Sequence, residues 1–412
     1  MKYGCIGEKL GHSFSKEIHT RLSDNGYELC EVAREELDAF MERRDFLAIN
    51  VTIPYKEAVM PHLYYIDPHA KAIGATNTVV NRNGKLYGYN TDFYGMRALI
   101  DRLGVTPEGK KVLILGTGGT SRTADAVARS YGAAEVIKVG RRGDRGSVTY
   151  EVAYRDHRDA EFIINTTPVG MFPDTNGKPI ELSQFDRLSG VVDAIYNPLR
   201  TTLVSEALAM GIPAEGGLYM LVAQGVRASE IFLDKSYPDG TLDRIYDEIY
   251  REKENIVLIG MPSSGKSTVG KILSEKIGKA LIDTDDMIKK RAGMEIPEIF
   301  RERGECGFRD LESEAVLEAA AMHGVIIATG GGAVLREKNV RALSKNGRIY
   351  FLDRSPELLV PTADRPLSSD RDTIMKRYNE RYAIYCKSAD VRIDGDRDAE
   401  TVAETIILES KK

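Results

Sequence analysis

Apolar runs and polar turns alternate through most of this chain. Lys111–Leu115, Glu135–Val139, Phe162–Asn165, Val191–Ala194, Asn255–Ile259, Val325–Ala328 and Arg348–Leu352 are short, mostly aliphatic, and read as strands. Helical spacing fills the intervals, among them Thr123–Tyr131, Thr241–Lys253 and Val269–Ile277. Such alternation predicts an α/β fold of parallel sheets covered by helices. Two of the strands run straight into glycine-rich turns, at Gly116 and at Gly260. Each predicts a separate doubly wound unit with its own nucleotide site. The division is expected near Glu254, where the helical run Thr241–Lys253 (Leu242, Ile245, Ile249) gives way to a strand with no Gly/Ser linker between.

Composition narrows the class. At 412 residues the chain exceeds what one core usually organises. With 42% apolar and 29% charged residues it reads as an ordinary globular protein. A net charge of −5, with Lys and Arg scattered, predicts no nucleic-acid partner. No apolar run is long enough to span a membrane, and Met1–Ser15 lacks a signal-peptide core, so no membrane partner is expected. Cys5, Cys30, Cys306 and Cys386 form no Cys-x-x-Cys pair, which predicts reduced thiols in a cytoplasmic protein. Oligomeric state is left open.

The first glycine turn reads Gly116-Thr117-Gly118-Gly119-Thr120-Ser121, between a strand and a helix. Backbone N–H groups at such a helix start hold a pyrophosphate, and Ser121 is small enough for close packing where a third glycine usually stands. After the next strand comes Gly140-Arg141-Arg142-Gly143-Asp144-Arg145. Arg141, Arg142 and Arg145 suit a 2′-phosphate, so NADP is favoured over NAD. Upstream, hydroxyls, amides, an ammonium and a carboxylate gather at turn positions: Ser13 and Ser15, Thr52 and Lys56, Asn77, and Asp92. That inventory suits a polyhydroxylated substrate.

Taken together, His12-Ser13-Phe14-Ser15, Asn50-Val51-Thr52-Ile53-Pro54-Tyr55-Lys56, Gly74-Ala75-Thr76-Asn77-Thr78, Asn90-Thr91-Asp92, the turn Gly116–Ser121, Tyr196-Asn197-Pro198 and Gly217–Gln224 resemble shikimate dehydrogenase, in order, from about Met1 to Glu252. The resemblance implies reversible NADPH-dependent reduction of 3-dehydroshikimate to shikimate. Lys56 and Asp92 match the catalytic pair, and an ammonium beside a carboxylate can protonate the alkoxide that hydride transfer leaves. Ser13, Ser15, Thr52, Asn77, Asp92, Tyr196 and Gln224 match the substrate shell, and Gly217 and Met220 lie near the nicotinamide. Two departures stand out: Lys16 where the family commonly has proline, and Gly140-Arg141-Arg142 in place of Asn-Arg-Thr.

The second turn, Gly260-Met261-Pro262-Ser263-Ser264-Gly265-Lys266-Ser267-Thr268, satisfies the phosphate-loop pattern in full, after a strand and before a helix. Ser263, Ser264, Gly265 and Thr268 belong to the cradle; Lys266 reaches the β/γ oxygens of ATP and Ser267 the Mg²⁺. Strand Ala280–Ile282 then ends in Asp283-Thr284-Asp285, two carboxylates at period two, one suited to Mg²⁺ and the other to a sugar-like hydroxyl. Phe308-Arg309-Asp310-Leu311-Glu312 offers an arginine for a substrate carboxylate, Ala328-Thr329-Gly330-Gly331-Gly332 a close backbone approach, and Arg365-Pro366-Leu367 and Arg381 further cations. Jointly these resemble shikimate kinase across about Asn255 to Asp394. By that resemblance Asp285, Arg309, Gly331 and Arg381 bind shikimate, Lys266, Ser267, Asp283 and Arg365 serve phosphate, Mg²⁺ and lid, and Arg397 lies near adenine. The lid stretch Asp353 to Arg365 looks short for the family.

The implied organisation is a substrate domain over 1–95, completed by a helical segment at about 222–252, a Rossmann-like NADP domain over 96–221, and a P-loop kinase over 254–412. The implied activity is two successive steps of aromatic amino-acid biosynthesis. A catalytically dead sensor is disfavoured because Lys56, Asp92, Lys266, Asp283 and Asp285 are all present. A quinate-oxidising NAD enzyme is disfavoured by Arg141, Arg142 and Arg145.

Overall fold

The computed structural model describes residues 1–10, 14–360 and 371–411. It separates into two compact units, Met1–Asp247 and Glu248–Lys412, the division falling within helix Thr241–Lys253. Among the described residues the strands form three sheets.

The first sheet contains β1 (Tyr3–Gly7), β2 (Tyr27–Glu31), β3 (Ala48–Val51), β4 (Tyr65–Ile66), β5 (Thr78–Arg82) and β6 (Lys85–Tyr89), in the order β2-β1-β3-β5-β6-β4. It departs from the all-parallel expectation: β3–β5 and β5–β6 are antiparallel. For β5–β6 the reason is local. Asn83 and Gly84 both take positive φ, 52° and 80°, the two-residue hairpin turn that matches strand twist, so the chain returns without a crossover helix. Helix Leu218–Leu233 packs on helices Ser15–Leu22 and Thr91–Leu103. A Cβ on Gly95 would stand 2.5 Å from the Met220 carbonyl oxygen, so glycine is what lets these backbones close.

The second sheet contains β7 (Lys111–Leu115), β8 (Glu135–Val139), β9 (Ser147–Val148), β10 (Phe162–Asn165), β11 (Gly190–Asp193) and β12 (Ala214–Glu215), in the order β12-β11-β10-β7-β8-β9, all parallel. The order reverses between β7 and β10, and β7 ends at the glycine turn, the place where open sheets of this kind receive ligands. The helix after it runs Gly119–Ser130, starting inside the glycine turn rather than at Thr123.

The third sheet, in the second unit, contains β13 (Asn255–Ile259), β14 (Leu281–Asp283), β15 (Ile326–Ala328), β16 (Gly347–Asp353) and β17 (Val391–Asp394), ordered β14-β15-β13-β16-β17 and all parallel. Alternate residues of β13 feed opposite cores: Val257 and Ile259 pack with Ile327 and Phe351, whereas Ile256 and Leu258 pack with Tyr350 and Leu352. That is the signature of a strand covered on both faces. Asp283 closes β14 and caps helix Thr284–Ala292, accepting from the Asp285 N–H at 2.9 Å. Asp283 and Asp285 are therefore a cap and a first-turn residue, not alternate positions of one strand, because an Asp at a helix start is stabilised as an N-cap.

Candidate active sites in the two units

In the first unit the turns after β1, β3 and β6 converge on a cavity of about 400 Å³. Its wall includes Cys5, Lys9, Ser15, Asn50, Thr52, Lys56, Asn77, Asp92, Tyr196, Leu221 and Gln224. The structure thus brings together Ser15, Thr52, Lys56, Asn77, Asp92, Tyr196 and Gln224, all expected from sequence. Ser13 lies outside the described residues.

Lys56 Nζ stands 2.6 Å from Asp92 Oδ2, with the side chains 26% and 17% exposed, so the pair is partly buried yet open to a ligand. Asp92 sits in the first turn of helix Thr91–Leu103, where the helix dipole favours a carboxylate, and Asn90 caps that helix by accepting from the Phe93 N–H at 3.2 Å. Asn77 Oδ1 accepts from the Thr91 N–H at 2.7 Å and its Nδ2 donates to Thr91 Oγ1 at 3.0 Å, so the amide orientation is fixed. Asn50 was missed as a structural support. Its Nδ2 donates to the Asn77 carbonyl at 3.3 Å and to Thr78 Oγ1 at 3.2 Å, while Tyr27 Oη donates to its Oδ1 at 2.7 Å. A polar residue inside the apolar strand Ala48–Val51 was the available signal.

Burial sets several protonation states here. His19 stacks on Tyr27, ring centroids 4.0 Å apart, and burial lowers it to about 3. The Cys5 thiol is pushed up to about 12 by burial, against a smaller opposing effect of Lys56, so it is a neutral wall group rather than a nucleophile. The Tyr196 phenol is raised by burial and stays a proton-bearing hydroxyl.

The glycine turn lies beyond β7. Gly116 has φ 110°, and a Cβ there would stand 2.7 Å from Thr166 Oγ1, so the turn requires glycine. Gly118 caps helix Gly119–Ser130, and buried Ser121 donates its hydroxyl to the Gly118 carbonyl at 2.8 Å. Thr117 and Thr120 are half-buried beside it. The turn after β8 comes close: a Cβ on Gly140 would stand 2.9 Å from Thr117 Cγ2. Arg141, Arg142 and Arg145 are exposed on that turn. Gly217 donates its N–H to the Ile195 carbonyl at 2.8 Å, and Met220 is buried one helical turn on.

In the second unit, Gly260, Ser263 and Gly265 all have positive φ (149°, 66° and 93°), which turns the loop backbone inward ahead of helix Lys266–Ile277. Buried Lys266 donates to the Gly260 and Met261 carbonyls at 2.9 and 2.8 Å, curled back on its own loop. Ser264 is buried beside it, and Thr268 follows in the first helical turn. Ser267 Oγ donates to Asp283 Oδ2 at 2.7 Å.

The loop Gly330–Gly332 faces an ionic cluster. A Cβ on Gly330 would stand 2.7 Å from Glu312 Oε1 and 2.8 Å from Asp285 Oδ1, and one on Gly332 would collide with the Arg309 guanidinium. Arg309 pairs with Glu312 at 2.8 Å and Glu305 at 3.2 Å, while Arg381 donates to the Gly331 carbonyl at 3.2 Å. Sequence reasoning missed Glu312 as a site residue. Its side chain is 1% exposed, burial raises its carboxyl, and Oε1 has no hydrogen-bond partner. An acid three residues after Arg309 on one helix was the signal. Arg397 pairs with Asp394 at 3.1 Å on the surface. Arg365 and the lid stretch around it lie outside the described residues.

A dinucleotide-loop reductase unit followed by a P-loop kinase unit is the class that fold and sites define. Comparison with known proteins agrees. Residues 5–79 match the shikimate dehydrogenase substrate binding domain, and residues 262–411 match shikimate kinase. A shikimate dehydrogenase (NADP(+)) of Clostridium perfringens is 37% identical over 264 residues, covering 60% of this chain and 97% of that protein. The crystal structure of shikimate dehydrogenase 1 from Peptoclostridium difficile superposes with a TM-score of 0.55 at 35% identity, covering 60% of this chain and 98% of that one. The Thermus thermophilus shikimate 5-dehydrogenase, solved with NADP(H) and shikimate, gives 0.54 at 30% identity, over 60% and 99%. The chain belongs to the shikimate dehydrogenase family through its N-terminal part and carries a shikimate kinase domain over residues 262–411. Among the described residues no helix is long and apolar enough to cross a membrane.

Proposed function

We propose that this chain catalyses two consecutive reactions: NADPH-dependent reduction of 3-dehydroshikimate to shikimate, then ATP-dependent phosphorylation of shikimate at its 3-hydroxyl, within the route to chorismate and the aromatic amino acids. The observation that carries the reading is the Lys56–Asp92 pair at 2.6 Å, set in a cavity lined with hydroxyls and amides.

In the first reaction NADPH supplies the hydride. The oxygen of the reduced carbonyl takes a proton from Lys56, and Asp92 holds that ammonium in place. Ser15, Thr52, Asn77, Tyr196 and Gln224 orient the hydroxylated ring. The turn Gly116–Ser121 fits the cofactor pyrophosphate, because Gly116 closes on Thr166 and Gly118 presents the start of a helix. Arg141, Arg142 and Arg145 meet the 2′-phosphate, and Gly217 and Met220 border the nicotinamide.

In the second reaction the 3-hydroxyl oxygen bonds to the γ-phosphorus and the bond to the bridging oxygen of ADP breaks. Asp285 orients the hydroxyl and takes its proton. Arg309 and Arg381 hold the carboxylate of shikimate against Gly331. Lys266 leaves its loop carbonyls for the phosphates and, with the backbone N–H groups of Ser263–Thr268, offsets charge on the transferred group. The hydroxyl of Ser267 and the carboxylate of Asp283 are hard oxygen donors that would hold Mg²⁺. Mg²⁺ supplies charge neutralisation at the β/γ oxygens when bound. The four free cysteines support a cytoplasmic setting.

The test is a single assay with 3-dehydroshikimate, NADPH, ATP and Mg²⁺, followed by mass spectrometry. Shikimate 3-phosphate is expected, and shikimate alone when ATP is left out. NADPH consumption without any phosphorylated product would reject the second half of the reading.

A further inference from the structure

Strand β16 lies beside β13, and the two run in register to Phe351 and Ile259. Beyond that point β13 enters the phosphate loop, and the carbonyl of Leu352 stands 2.9 Å from where a Cβ on Gly260 would be. The end of β16 is therefore packed on the loop. Arg354 is the first residue past it, and Arg354 Nη1 is 3.9 Å from the position a Cβ on Gly265 would take. Gly265 is the N-cap of helix Lys266–Ile277, the end that binds phosphate.

Arg354 has no ionic partner of its own among the described residues. Asp353 is engaged by Arg392 and by the Tyr382 hydroxyl at 3.2 Å. Asp396 accepts from the Ser355 N–H at 2.7 Å and from the Ser355 hydroxyl; its carboxyl is held low chiefly by those bonds, Arg354 adding only a smaller effect. Arg354 Nε is buried with no hydrogen-bond partner. A half-buried guanidinium with an unmet donor, beside the positive end of a helix, is unfavourable in the absence of an anion. An oxyanion over Gly265 relieves both costs at once.

We propose that Arg354 is a nucleotide-contacting residue of the kinase unit, donating to the diphosphate of ATP and ADP across the Gly265 turn. This rests on the ATP-dependent reading above. It supplies a cation to the loop from the residue that follows β16, the strand paired with β13. Because a guanidinium presents a planar bidentate fork to phosphate oxygens and an ammonium is a shorter-reaching point charge, lysine should replace it only in part.

The experiment measures ADP and AMP binding by calorimetry on the full chain, for the wild type, Arg354→Gln and Arg354→Lys. The KM values for ATP, shikimate and 3-dehydroshikimate are read on the same preparations. Arg354→Gln is expected to weaken ADP and raise the ATP KM about tenfold or more. AMP binding and the other two KM values stay within about twofold of wild type, and Arg354→Lys recovers part of the loss. ADP affinity unchanged in Arg354→Gln overturns the proposal, as does an equal loss for ADP and AMP, which would place the contact off the diphosphate or make the residue merely structural. A wild type that binds neither nucleotide rejects the kinase reading itself, separately from the role of Arg354.

Discussion

The two sites solve opposite electrostatic problems with the same residue type. In the first unit Lys56 is 26% exposed and paired with a carboxylate at 2.6 Å. In the second, Lys266 is 5% exposed and bonded to the Gly260 and Met261 carbonyls of its own loop. A proton donor is served by a neighbouring carboxylate that fixes its position. A phosphate-binding lysine is served by loop carbonyls that it can exchange for phosphate oxygens. In the second site Glu312 stands beside Arg309, and Asp283 beside Ser267. The contrast ties each lysine's chemistry to its partner rather than to its own identity.

The strongest way to break this comparison is to remove each lysine. Lys56→Ala should lower 3-dehydroshikimate reduction by about 10²- to 10⁴-fold, the span of a lost general acid, with shikimate phosphorylation unchanged in a coupled ADP assay. Lys266→Ala should lower phosphorylation by about 10²- to 10³-fold, as for a lost transition-state donor, with NADPH oxidation unchanged. A sharper comparison comes from Arg381→Leu, which deletes a charged donor but leaves the loop. The expected result is a shikimate KM in the kinase reaction raised about 10- to 100-fold, with the ATP KM little moved.

The smallest effect concerns the frame behind the first site. His19 has a folded value of about 3 against 6.5 when exposed. A depressed value means its contribution to stability is fully present above pH 6.5 and is lost as pH falls toward 3, because the unfolded chain binds the proton first. Between pH 7 and pH 5 this amounts to about 2 kcal/mol for the first unit. Urea melts of that unit should show the slope in the wild type and not in His19→Phe.

How much of this was legible in the chain depends on whether the feature is local. The glycine turns at Gly116 and Gly260 announce themselves because strand, turn and helix follow in sequence, and the positive φ values at Gly116, Gly260 and Gly265 explain why those glycines are there. The antiparallel half of the first sheet was signalled by Asn83-Gly84, between the five-residue strands Thr78–Arg82 and Lys85–Tyr89. Asp283 and Asp285 read as strand neighbours because strand and helix meet with no residue between them, Asp283 being both the end of β14 and the helix N-cap; the hydrogen bond to the Asp285 N–H shows the change. Asn50 and Glu312 were hidden for a different reason. Their roles are buried partnerships with Asn77 and Arg309, and in the first case the partners lie far apart in the chain.

The central claim is that two independent sites in one chain act in series. It is tested most directly by supplying 3-dehydroshikimate, NADPH, ATP and Mg²⁺ to Lys56→Ala, to Lys266→Ala, and to an equal mixture of the two. Lys56→Ala should yield almost no product, Lys266→Ala should accumulate shikimate, and the mixture should restore shikimate 3-phosphate. Loss of both activities in either variant, or a mixture that stops at shikimate, would contradict it.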